Sequence, residues 1–77
     1  MANKRILIKF TQELLKEPII YSVSSQFNVI TNIQRANIAE ECGWAEVELI
    51  GEAVAINESI DWMMGRGLRV EVISGED

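Results

Sequence analysis

The chain has 77 residues, 12 acidic against 7 basic side chains and no histidine, for a formal net charge of −5. That balance opposes the counterion release behind most nucleic-acid binding, and the missing imidazole removes the commonest acid–base group at neutral pH and the commonest nitrogen ligand for zinc. An apolar share of 48% with one Pro and five Gly belongs to an ordinary folded chain, although one this short builds only a modest core, for which self-association is a natural remedy.

A single cysteine, Cys42, cannot form an internal disulfide. Ile6-Leu7-Ile8, between Arg5 and Lys9, is too short for a signal sequence or a membrane span. A cytoplasmic location and one domain over residues 1–77 are therefore expected, with no linker or low-complexity run to divide it.

From Arg5 to Phe10 the pattern alternates, with Ile6, Ile8 and Phe10 on one face and Leu7 and Lys9 on the other, which predicts a half-buried first strand. Thr11 to Glu17 is polar, and Pro18 stands where a first helical residue should. Ile19, Ile20, Val23 and Phe27 recur at helical spacing, so a short helix is expected over Pro18–Phe27, closed by Asn28. Val29 to Ile38 is rich in β-branched residues and reads as a second strand. Ile33 and Ile38 would point to opposite faces of a regular strand, which predicts a bulge between Gln34 and Asn37.

Ala39 to Gly43 has the length of a hairpin loop, and Trp44 to Ile50 alternates again, with Ala45, Val47 and Leu49 inward and Glu46 and Glu48 outward. After Gly51, Ile56, Ile60, Met63 and Met64 are expected along one side of a second helix ending near Gly65-Arg66-Gly67. Leu68, Val70 and Val72 supply a fourth strand. The order βαββαβ predicts an α+β, ferredoxin-like fold, a four-stranded antiparallel sheet with two helices on one face.

That fold hosts many functions, so side chains must decide among them. RNA recognition wants aromatic and basic residues on the open sheet face, where this chain places Glu46 and Glu48. The loop after the first strand has no Cys for a soft metal and no Gly for a phosphate nest. Nothing basic flanks Cys42, an incidental loop cysteine, and the scattered carboxylates read as a solvated surface. Met63 and Met64 beside Trp62 read as core filling. Leu7, Trp44 and Ile50 should project from the uncovered sheet face, large apolar groups that mark an interface with a second copy or another protein. No catalytic residues, metal ligands or cofactor site emerge, and the chain reads as a binding module rather than an enzyme.

The run Phe27-Asn28-Val29-Ile30-Thr31-Asn32-Ile33-Gln34-Arg35-Ala36-Asn37-Ile38, followed by Gly43-Trp44 and Glu48-Leu49-Ile50-Gly51-Glu52, resembles the NIL domain family. Phe10, Glu17-Pro18-Ile19, Trp62-Met63 and Arg66-Gly67-Leu68-Arg69-Val70 extend the resemblance over nearly the whole chain. The family's Asn-Ile-Leu triplet is matched by Asn32 and Ile33, with Gln34 in place of Leu, and Ala36 stands where a Gly is usual. In form the chain is similar to NIL domains that accompany iron–sulfur ferredoxin modules, more than to those closing the ATPase subunit of methionine importers. It lacks the cysteine-rich cluster motif and should hold no cluster.

The resemblance implies a regulatory or ligand-sensing module that binds methionine or a related sulfur metabolite at a dimer interface. Asn32, Gln34 and Asn37 would then offer hydrogen bonds to the amino-acid ligand; as a solvated strand face the same three residues need no ligand. The alternative is a protein-interaction module docking on a ferredoxin or a sulfur-metabolism enzyme without any small molecule.

Overall fold

A computed structural model describes residues 1–11, 18–38 and 42–76. The elements are β1 (Ala2–Thr11), α1 (Ile19–Phe27), β2 (Ile30–Ile38), β3 (Cys42–Gly51), α2 (Ala53–Gly65) and β4 (Arg69–Glu76), in the expected βαββαβ order. The four strands form one antiparallel sheet in the order β2-β3-β1-β4, which leaves β2 and β4 as its edges. This is the ferredoxin-like α+β fold.

Alternation in the two central strands builds the core. Ile6 and Ile8 of β1 and Ala45, Val47 and Leu49 of β3 turn to one side and are buried with Ile19 and Val23 of α1 and Ile56, Ile60 and Met63 of α2. Central pairing also carries β1 back beyond the expected Arg5 to Ala2, because β3 runs on to Gly51 and its backbone groups need a partner there. At the other end Cys42 and Gly43, expected in a loop, belong to β3, with Cys42 opposite Thr11 and exposed. The hairpin residues 39–41 and the 12–17 segment lie outside the described residues.

Helix ends follow local chemistry. Pro18 is the cap rather than the first helical residue, and its carbonyl accepts the Ser22 N–H at 2.9 Å. Asn28 closes α1 in the left-handed region at φ 55°. Gly67 does the same for α2 at φ 95°, with the Leu68 N–H donating to the Met63 carbonyl and the Gly67 N–H to that of Met64. These two bonds form a Schellman closure that seats Leu68 against the core.

On α2 the expected side is correct for Ile56, Ile60 and Met63, but Met64 is 52% exposed. At 100° per residue Met64 lies well around from Ile56, and Ser59 takes the buried place instead. Its Oγ donates to the Ile56 carbonyl at 2.7 Å, so no buried polar group is left unmet there. Trp62, half-buried, meets Phe27 edge-on at 6.0 Å between ring centres, which ties the end of α1 to α2.

Two irregularities break the sheet's period. In β2 the register with β3 shifts between Ile33 and Arg35, so Gln34 is the extra residue, at the near end of the stretch where a bulge was expected. In β4 the pairing with β1 shifts opposite Arg5 and Ile6, which makes Ile73 extra. Val72 pairs with Ile6 but remains exposed on the edge strand.

Leu49→Ala removes a core side chain that is 1% exposed and should destabilise the protein by about 3 kcal/mol. Val54→Ala, at 68% exposed, should change stability by less than about 0.5 kcal/mol. Urea unfolding of the two variants measures both.

Candidate functional site

A groove of about 230 Å³ opens between the first turn of α1, the end of β1 and the far half of β2. The bulge creates one wall. With Gln34 absorbed as an extra residue, Ile33 pairs with Val47, Ala36 with Ala45 and Ile38 with Gly43, so all three turn to the helix side of the sheet. At nine residues, α1 is too short to cover them, and Ile33 and Ile38 remain 55% and 65% exposed. Buried Ile8, Ala45 and Leu68 form the floor, with Ile20 and Tyr21 opposite β2.

Gly43 shapes this end. A Cβ there would stand 2.9 Å from the Phe10 ring and 3.1 Å from the Asn37 carbonyl oxygen, so a bare backbone lets Phe10 approach β2. Among the described residues no charged side chain lines the groove, and Tyr21 brings a hydroxyl. Such a surface holds a hydrocarbon or thioether group by shape and excludes a bare charge.

The sequence-predicted ligand residues stand elsewhere on the same strand. Asn32 pairs with Glu48 and Asn37 with Trp44, which puts both on the open side of the sheet, and Gln34 is the bulge itself. All three are exposed. Within one chain they line the outer edge rather than converge with the groove, which has another face of β2 as its wall. Sequence reasoning missed the groove, although its signal was present in the bulge that sets Ile33 and Ile38 on one side.

On the open face Leu7 and Trp44 come together. With Lys9, Arg35, Glu46 and Ile73 they line a shallow depression, and both are half-buried rather than exposed. Arg35 Nε donates to Glu46 Oε2 at 2.9 Å, and Lys9 Nζ stands 3.9 Å from Glu71 Oε1, so charged pairs fence the apolar pair. Ile50 is not part of this patch. It lies six positions along β3 from Trp44, roughly 20 Å away at strand rise, opposite Ile30 and Asn3.

With this geometry in view, the model of the NIL domain family matches residues 4–72. The chain belongs to the NIL domain family. Among solved structures, the NIL chain is similar to the C-terminal domain of an ABC transporter ATP-binding protein from Enterococcus faecalis, at 27% identity and a TM-score of 0.82, covering 95% of this chain and 86% of that one. Two de novo designed proteins share the fold. Foldit4 has 11% identity, a TM-score of 0.62 and coverage of 99% and 96%, and Ferredog-Diesel has 22%, 0.55, and 90% and 83%. No curated protein matches the chain.

Among the described residues of this NIL domain, no three His, Cys, Asp or Glu side chains gather as a metal site, and no helix is long and apolar enough to cross a membrane. The Arg35–Glu46 pair is the shortest ion pair described on the open face. Because Arg35 is largely solvated, a double-mutant cycle with Arg35→Ala and Glu46→Ala should give a coupling of about 0.2–1 kcal/mol by thermal or urea unfolding.

Proposed function

We propose that this NIL domain is a non-enzymatic regulatory module that senses methionine or a related sulfur metabolite at a dimer interface, with residues 1–77 acting as one unit in the cytoplasm. The observation that carries the reading is the apolar groove of about 230 Å³ beside a strand edge that has no neighbouring strand among the described residues. A flexible thioether suits walls of Ile, Phe and Tyr. The ammonium and carboxylate of an amino acid need polar partners, which the outward N–H and C=O groups of β2 and the side chains of Asn32, Gln34 and Asn37 supply along the same edge. Similarity to a C-terminal domain of a transporter's ATP-binding protein supports a role as an attached regulator rather than a catalyst.

Coupling follows from mass action. A ligand that binds only the paired form favours pairing by its own binding free energy. Thermal melts with a panel of amino acids and sulfur metabolites test the reading. Ligand at a hundred times its Kd should add roughly 2.7 kcal/mol, an upward shift of about 10 °C or more for a domain this size. Ala36→Trp, which fills the groove from an exposed position, should remove that shift. A panel that is flat at millimolar concentrations sinks the sensor.

The half-buried Leu7 and Trp44 support a second reading, a protein-interaction module that docks on a ferredoxin or a sulfur-metabolism enzyme through the open face, with Ile50 as an outlying contact. Under this reading no metabolite shifts the melt, and Trp44→Glu abolishes capture of such a partner.

A further inference from the structure

Across β2, β3, β1 and β4, in that order, the open side of the sheet carries three rows of side chains. Asn37, Trp44, Lys9 and Arg69 form the first, Arg35, Glu46, Leu7 and Glu71 the second, and Asn32, Glu48, Arg5 and Ser74 the third. A chain of net charge −5 thus sets four cations against three carboxylates here. A uniformly acidic or basic partner would meet like charge at several points of such a face. Within one chain the charges are also incompletely matched. Among the described residues Arg5, Glu48 and Arg69 have no ion-pair partner, and Lys9 comes only to 3.9 Å from Glu71.

We infer that the open face packs on the open face of a second copy of this chain, about a two-fold axis that lies between β3 and β1 and runs close to the strand direction. Rotation about that axis keeps each row at its level and reverses its order. Arg5 then meets the partner's Glu48, and Arg35 the partner's Glu71. Lys9 stands over the ring of the partner's Trp44, a cation–π contact, and Arg69 reaches the amide oxygen of the partner's Asn37. Glu46, held by its own Arg35, lies over the partner's Leu7. Each contact occurs twice, and the half-buried Leu7 and Trp44 are closed over at the centre.

The pattern also rejects the other two-fold that lies in this face, the one running across the strands through the second row. It sets Arg35, Glu46 and Glu71 each against its own copy and Lys9 against the partner's Arg5, a repulsion at every point. Charge therefore selects one axis, and the aligned stacking it gives is an ordinary way for two sheets to pack. Four strands at ~4.8 Å spacing and about seven residues each offer roughly 450 Å² per copy. That is at the low end for a specific interface, so the association is weak and depends on concentration. Because the groove lies on the helix side of the sheet, the inference stands apart from the metabolite proposal, and it gives the open face a different occupant from the docking reading.

Sedimentation equilibrium should show the 8.7 kDa chain doubling in mass as its concentration rises, and raising the salt to about 0.5 M should weaken that association. Arg35→Glu and Glu71→Arg should each raise the dimer Kd about tenfold or more, with the circular dichroism unchanged because both side chains are largely solvated. An equal mixture of the two variants should recover the doubled mass, since every swapped charge then faces an opposite one although both chains remain net negative. A chain that stays monomeric up to the solubility limit overturns the inference, and capture of another protein through Trp44 by that monomer gives the face to the docking reading. A doubled mass that neither swap moves, a mixture as dissociated as its parts, or a wild-type association indifferent to salt overturns it equally.

Discussion

A four-stranded sheet with helices on one side allows each strand residue one of two fates, and this parity governs the molecule. In β1 and β3 it is kept without interruption over ten residues each, so that Ile6, Ile8, Ala45, Val47 and Leu49 close the core and their neighbours face outward. Every other feature is arranged around that pair. The helices lie over it, and the edges attach to it. The bulges at Gln34 and Ile73 are the places where an edge departs from it.

The central strands and both helices were legible because burial there follows a period of 2 or 3.6 with little interference. Met64 was misplaced because two adjacent methionines both look apolar, whereas helix geometry admits only Met63 to the core and gives Ser59 the remaining place through its bond to the Ile56 carbonyl. The true ends of β1 and β3 were not legible. Asn3, Lys4 and Cys42 extend because a paired backbone continues where its partner does, and side-chain pattern carries no trace of that.

The candidate site was legible in pieces. Ile33 and Ile38 announced the bulge, yet the groove behind it depends on how much of β2 a nine-residue helix leaves uncovered, which is a tertiary quantity. The open-face reading found Leu7 and Trp44 together but could not measure their distance from Ile50 or foresee the Arg35–Glu46 fence. The polar residues of β2 were singled out through the family resemblance, whereas the groove lies on the helix side of the same strand.

The central position of β1 also sets the order in which the fold can close. It is the first strand in the chain, yet its neighbours β3 and β4 are distant in sequence. A chain still being synthesised therefore carries Ile6, Ile8 and Phe10 unpaired until β3 has emerged, and α1 and β2 have no completed sheet to rest on before then. Pairing so distant in sequence closes slowly, and loss of the last strand would leave one edge of the first unpaired from Asn3 to Lys9.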